Sequence, residues 1–254
     1  MNGFSTALAD SAIMLRRNLK HTTRNPVTVF NAVLFPLVMM LMFVKVFGGG
    51  FSVGDQYVDY ATPGLLVMAI CYGLGATATS VNADMTNGVI NRFKTMDVSR
   101  GAILTGHVVV TTVRCLVACA AIVGFGFVLG FDPGAGALGW LAATGLLVLL
   151  AVATSWLTVA MGLAAKSPES AGMATVPLIM LPFLSSAFVP ADTMGAGVRQ
   201  FVEYQPFTPI IETLRGLLLG GGVAHGDAIA AVAWCAGIAV LGFAWALATF
   251  RKRA

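Results

Sequence analysis

The sequence predicts an all-α integral membrane protein. It would have six transmembrane helices, an N-terminal interfacial amphipathic helix, a short amphipathic helix in a cytoplasmic loop, and re-entrant helices on the outer side. Three observations carry this. Hydrophobic residues make up 57% of the 254 residues and charged residues only 10%, whereas a soluble domain carries about 25% charged residues. The mean hydropathy is +0.85, and too few charges remain to cover a water-facing surface. The apolar residues fall into runs of the length a bilayer needs, about 20 residues each, with the basic residues collected on one side of them.

The six runs are Val27–Phe47, Tyr60–Val81, Ile103–Phe131, Leu138–Ala164, Ala171–Val189 and Ala228–Phe250. The third and fourth exceed what a span needs, so they tilt or project. Eleven of the 15 basic residues lie on one side: Arg16, Arg17, Lys20, Arg24, Arg92, Lys94, Arg100, Lys166, Arg251, Lys252 and Arg253. Lys45, Arg199 and Arg215 lie on the other, and Arg114 alone sits inside a run. Lysine and arginine stay in the cytoplasm, so both termini are expected there and the segment Val53–Asp59 outside. Residues 1–254 then form one transmembrane domain: an interfacial helix over 1–26, a six-helix bundle over 27–250 and a basic tail over 251–254.

Ahead of the first run, Leu8, Ala12, Leu15 and Leu19 share one helical face, with Arg16, Arg17, Lys20 and Arg24 on the other side. Such a basic amphipathic helix lies in the membrane interface, arginines toward phosphates. Pro26 ends it. The loop between the second and third runs carries another stripe: Met85, Val89, Phe93 and Met96, with Asp84, Asn87, Asn91 and Lys94 supplying polar surface. The stripe must be buried, either on this protein's own helix ends or in the groove of a soluble partner.

The outer segment Pro190–Asp227 is apolar at helical spacing over Val198, Phe201 and Val202, and again from Ile210 to Leu218. Pro206 and Pro209 interrupt it. Two short helices dipping into the outer leaflet are expected. Glu203, Glu212 and Arg215 are costly in lipid, so these helices face headgroups, each other or a cavity.

The net charge of +4 points to lipid headgroups and not to nucleic acid, because the basic residues flank apolar runs. Cys71, Cys115, Cys119 and Cys235 all lie inside the runs and are expected as small buried hydrophobes. None of the five lysines follows a glycine, so a phosphate-cradling Gly-Lys-Ser/Thr loop is missing. There is no His-Glu-x-x-His metal motif, and His21, His107 and His225 are scattered, so neither metal nor catalytic residues are expected. Paired intramembrane carboxylates, the mark of a proton-coupled carrier, are also absent. Such a chain transports passively or is driven by a partner.

The stretch Asp84–Gly106 resembles the cytoplasmic loop of ABC-2 type permeases, closest to the daunorubicin/doxorubicin-resistance permease group. Gly88, the Arg92-Phe93 pair, Ser99-Arg100 and Gly106 match that group's pattern. Asp97 stands where proline is usual and His107 where arginine is usual. Gln205-Pro-Phe-Thr-Pro209, with Phe207 at its centre, and Glu212-Thr-Leu-Arg-Gly216 are similar to the family's Asn-Pro-x-Thr stretch and Glu-x-x-Arg-Gly helix. The resemblance implies the ABC-2 (type V) exporter fold and a permease subunit in a bacterial cell membrane. It implies a dimer of two permease chains, a homodimer here, with two ABC ATPase subunits beneath. ATP and Mg would be bound by those partners, so this chain would hold no cofactor and would itself not be an enzyme. The loop helix, with Asp84, Met85, Val89, Arg92, Phe93 and Met96, would be the coupling helix in an ATPase groove. The substrates would be amphipathic drugs, antibiotics or related lipophilic compounds. The same architecture also suits export of a lipid or polysaccharide precursor. A non-ABC carrier or membrane enzyme is the alternative of another class, disfavoured by the missing carboxylates and catalytic cluster.

Arg114 lies about 16 Å along its helix from Ile103. Snorkelling to the cytoplasmic face is the favoured expectation; lining a substrate pathway is the other. Pro177 and Pro182 are expected to kink the fifth run, whose Met180, Phe183 and Phe188 would give such a pathway an adaptable apolar wall.

Overall fold

The computed structural model describes residues 26–48, 57–86 and 100–253. Among these residues every regular element is helical. Helix α1 (Pro26–Leu41) passes directly into a π-helical turn, Met42–Phe47. Then come α2 (Tyr57–Tyr72) and α3 (Leu74–Thr86), separated by Gly73 alone, followed by α4 (Arg100–Leu129) and α5 (Ala137–Ala164). A broken stretch follows: α6 (Pro168–Ala174), α7 (Val176–Met180) and a 3-10 turn, Leu181–Leu184. The chain ends with α8 (Ala196–Tyr204), α9 (Phe207–Leu219) and α10 (His225–Arg253).

Among the described residues, four stretches are long and apolar enough to cross a bilayer: Tyr57–Thr86, Leu104–Leu129, Ala137–Ala164 and His225–Lys252. With its 28 residues, α5 is about 42 Å long at 1.5 Å per residue. That exceeds a hydrocarbon core of about 30 Å, as the long third and fourth runs led one to expect. The first expected span corresponds to α1 and its π turn.

Two expected spans differ from the sequence reading. The second begins at Tyr57 and is interrupted at Gly73 instead of running unbroken. The fifth is not one helix. Pro177 and Pro182 lack the amide that would bond the carbonyl one turn earlier. The helix gives way to α7, a 3-10 turn, and extended backbone at Ser185 with φ −130° and ψ −177°. At the end of α4 the chain turns sharply. Gly130, at φ +98°, takes the left-handed conformation there. The Phe131 amide donates to the Gly126 carbonyl at 2.9 Å and Gly130 to Phe127 at 3.3 Å, closing the helix as a Schellman motif. The Gly126/Gly130 pair is thus half helix stop, half a seat for the Met40 side chain.

Two separate apolar cores result. The larger joins the outer part of the bundle: α1, α2, the Cys115–Ile122 stretch of α4, the Ala143–Ala153 stretch of α5, Phe188 and α9. The smaller gathers Val81, Leu104, Val108, Val159, Ala160, Leu163, Ala246 and Phe250, with Met85 and Trp156 against it. Between them lies a buried polar layer: Thr77, Thr111, Thr112, Thr154, Ser155 and Thr158. All four cysteines are buried thiols, as expected of apolar fillers. Helix α10 packs on α5 through an edge-to-face contact of Phe243 with Trp156, centroids 4.9 Å apart. Its other faces expose Ile229, Val232, Val240 and Leu241, a surface suited to lipid.

Candidate functional site

The backbone after Leu184 runs through turns and bends inside the bundle, so its carbonyls need donors other than a helix ladder. Those of residues 184, 186 and 188 each find a side chain. Gln205 Nε2 donates to the Leu184 carbonyl at 3.1 Å. The Tyr60 hydroxyl donates to the Ser186 carbonyl at 2.9 Å, and Arg215 Nη2 to the same oxygen at 3.0 Å. The Tyr57 hydroxyl donates to the Phe188 carbonyl at 3.1 Å. Locally, the Ser185 hydroxyl donates to Pro182 and accepts from the Ala187 amide. A side chain at Gly64 would collide with Ala187, so the glycine lets α2 press against this segment. Phe188 stacks on Phe43, centroids 3.9 Å apart.

Arg215 is the hub of this outer cluster. Its Nε and Nη2 donate to the Tyr60 carbonyl at 3.3 and 3.1 Å, and Nη1 meets Glu212 at 2.6 Å. Its guanidinium lies 3.8 Å over the Tyr60 ring. The planar five-donor fork of arginine suits such shared acceptance. One side chain of α9 thereby ties together the start of α2 and the broken segment.

The inner cluster sits in the polar layer. Arg114 Nη2 donates to the Gly73 carbonyl at 2.5 Å and to Thr77 Oγ1 at 2.7 Å. Thr77 and Thr111 hydroxyls are 2.7 Å apart. Arg114 Nε is buried without a partner among the described residues. The expectation that Arg114 snorkels to the cytoplasmic face therefore gives way. The break at Gly73 offers a carbonyl within reach, and the guanidinium turns inward to take it. Further along α3, Asn82 Nδ2 donates to the carbonyls of Gly162 and Ala165 at 3.0 and 2.8 Å, capping the end of α5. Asp84 Oδ2 meets His107 Nε2 at 3.1 Å. Residues 82–84 and His107, on either side of positions 87–99, are thus fastened to each other and to α5. Beyond α5, Ser167 and Ser170 cap α6 reciprocally. At that helix start Glu169, hydrogen-bonded by its own amide and by Ser167, has its carboxyl below the usual range.

Of the residues singled out from sequence, Arg16, Arg17, Lys20, Arg24, Val89, Arg92, Phe93 and Met96 lie outside the described residues. Met85 packs half-buried against the inner core, so this member of the expected coupling stripe rests partly on its own protein. Met180 and Phe183 are exposed and Phe188 is buried. They are not gathered with Arg114. Tyr57, which holds Phe188, and Gly73, which holds Arg114, are separated by the 16 residues of α2, about 24 Å. On the outer side Pro206 precedes α9 and Phe207 is buried in the core. Pro209 lies in the first turn of α9, so the break falls at Gln205-Pro206 alone. The outer helices differ from each other. In α9 eight residues are buried, and it belongs to the bundle instead of dipping into the leaflet. In α8, by contrast, Val198, Phe201 and Tyr204 are exposed and an exposed Arg199–Glu203 pair lies at 2.7 Å. Sequence reasoning missed Tyr57, Tyr60, Gln205, Asn82 and Thr77 as working groups. The available signal was hydrogen-bonding side chains set within apolar runs.

The ABC-2 type transporter family model matches residues 11–219. The chain is similar to the daunorubicin resistance ABC transporter permease protein DrrB1 of Streptomyces coeruleorubidus, 32% identical over 218 residues that cover 85% of this chain and 77% of that protein. It is also similar to the probable doxorubicin resistance ABC transporter permease protein DrrC of Mycobacterium tuberculosis, 27% identical over 242 residues that cover 92% of this chain and 85% of that protein.

Proposed function

This chain belongs to the ABC-2 type transporter family, and from that premise we propose that it is the membrane-embedded permease subunit of an ATP-driven exporter of amphipathic drugs or antibiotics. The observation that carries this reading is the similarity to two drug-resistance permeases over 85% and 92% of the chain. The ATPase is a separate subunit, and ATP and Mg belong to it. In the assembly two copies of this chain pair, two ATPases dock beneath them, and both termini face the cytoplasm.

The arrangement of the described residues supports a division of labour. The 87–99 loop, with Val89, Arg92, Phe93 and Met96, is the coupling segment that enters an ATPase groove. Its flanks are stiffened by the Asp84–His107 contact and by Asn82 on the end of α5, so a push on the loop is delivered to α3, α4 and α5 together. The N-terminal segment with Arg16, Arg17, Lys20 and Arg24 lies in the cytoplasmic interface, and α8 rests its exposed apolar residues in the outer leaflet. Met180, Phe183 and Phe188 line the route of the drug. The outer cluster around Arg215 closes that route on the external side.

Co-purification tests this. The ABC ATPase should be retained by the wild-type permease and released by Phe93→Ala. Burying a phenylalanine is worth about 1.5–3 kcal/mol, so docking should weaken by roughly one to two decades at 1.4 kcal/mol per decade. Full retention together with normal transport by Phe93→Ala would remove this loop as the coupling element.

A further inference from the structure

We propose that span two is hinged at Gly73 and that Arg114 is the positioning residue that latches the hinge; the proposal rests on the export reading above. Three observations converge on this plane. The helix is interrupted there, between α2 and α3. The apolar interior is divided at the same level, with Cys71 and Cys115 in the outer core and Val81 and Val108 in the inner one. The layer between them is rich in hydroxyls, with Leu74 and Ala78 as its buried apolar residues, and Thr112 Oγ1 and Ser155 Oγ find no partner among the described residues. Thr154 and Thr158 donate to carbonyls one turn back at 2.8 Å, a pattern that bends helices. Interdigitated apolar packing resists sliding, because close-packed side chains have no free volume. A plane without it is where the bundle yields.

Arg114 is placed to govern that plane. One nitrogen, Nη2, reaches the Gly73 carbonyl that opens α3 and Thr77 in its first turn, while Cys115 and Cys119 of the same helix reach the Ile70 and Leu66 carbonyls of α2, so α4 holds the two sides of the interruption relative to each other. Its Nε stays buried and unpartnered among the described residues, leaving a donor in reserve for a second arrangement. Helix α3 leads directly into the 87–99 loop, so motion of the loop turns α3 about Gly73 while α2 stays in the outer core.

A methyl group at Gly73 would meet the Cys115 sulfur and the Ile70 carbonyl at 3.6 Å, ordinary contact. Gly73→Ala therefore fits, and it favours continuous helix over a break. Gly145 in α5 has open space around it and serves as control. The test is ATP-driven transport by the full permease–ATPase complex in proteoliposomes, with daunorubicin as probe. Gly73→Ala should lower kcat about two- to five-fold at unchanged KM, from the helix preference of alanine over glycine. Arg114→Met should lower kcat about ten-fold, from the loss of a charge-assisted latch. Arg114→Lys should recover part of that loss. Gly145→Ala should match wild type, and every variant should retain the ATPase. Wild-type kcat in Gly73→Ala, a change confined to KM, or an equal loss in Gly145→Ala would overturn the hinge. If Arg114→Met fails to reach the membrane, Gly73→Ala decides alone. Hydrogen exchange without drug separates the hinge from the export reading. In wild type, exchange over residues 73–79 should change when ATP and vanadate trap the complex, and in Gly73→Ala the change should be smaller. No change in wild type would refute the hinge even where daunorubicin moves. A responsive hinge in a complex that fails to move daunorubicin would overturn only the choice of drug.

Discussion

Two interruptions of helix lie inside this bundle, and they are held very differently. At the outer one, after Leu184, three carbonyls of an irregular segment are each met by side chains from elsewhere in the chain: Gln205, Tyr60 with Arg215, and Tyr57. At the inner one, Gly73, the strong donor is a single guanidinium nitrogen, shared by the Gly73 carbonyl and Thr77 in the following turn, and the Cys115 thiol adds only a weak contact to the Ile70 carbonyl. Unsatisfied backbone is expensive in a membrane interior, so both breaks needed donors. The number and spread of the donors set how much each can move. Several side chains from two elements, converging on one segment, make a fastening that opens only if many bonds open together. One side chain in a threonine layer makes a joint.

Substitutions can break or sharpen this contrast. The largest loss of stability is expected from Arg215→Met. It removes every polar contact at the hub and leaves the carbonyls of Tyr60 and Ser186 short of a donor. A cost of about 2–3 kcal/mol follows from removing a charged donor from both carbonyls together with the cation–π contact over Tyr60, read as a lowered Tm of the purified permease in detergent. Tyr57→Phe should come next. It strips the Phe188 carbonyl of the Tyr57 hydroxyl and costs about 1–2 kcal/mol. Tyr60→Phe should cost less, about 0.5–1 kcal/mol, since Arg215 still serves the Ser186 carbonyl and still stacks on the ring. At the inner break Thr77→Val should cost under about 1 kcal/mol of stability, a small shift in Tm, yet slow transport, the reverse of the outer pattern. The smallest effect belongs to Arg199→Ala. Its pair with Glu203 is 49% and 43% exposed, and water screens such a surface pair, so little change in Tm is expected. If Thr77→Val destabilises as much as Arg215→Met, the two breaks are alike and the contrast fails.

Much of this fold was legible in the sequence because a bilayer imposes length and polarity so strictly. The long runs became α2 with α3, α4, α5 and α10, and the fifth run broke where Pro177 and Pro182 remove amides. The outer helices were legible from apolar spacing on either side of Gln205-Pro206. The site was less so. Gly73 is one of 29 glycines, and nothing local distinguishes a glycine that interrupts a span from one that merely lets helices approach. Arg114 was noticed as a lone charge, but its direction depends on the Gly73 carbonyl, 41 residues earlier. Gln205 lay within a recognised motif, yet its partner is the carbonyl of Leu184, whose exposure follows from the broken helix. The burial of α9 was hidden because Glu212 and Arg215 suggested a headgroup surface. In the fold they satisfy each other and the start of α2.

The central claim is that this chain supplies the path and a separate ATPase supplies the power. Inverted membrane vesicles test it most directly. Vesicles carrying the permease together with its ABC ATPase should accumulate daunorubicin on addition of ATP and Mg, and vesicles carrying either subunit alone should not. ATP-dependent accumulation by the permease alone, or accumulation with both subunits that is unchanged when ATP is withheld, would contradict the account.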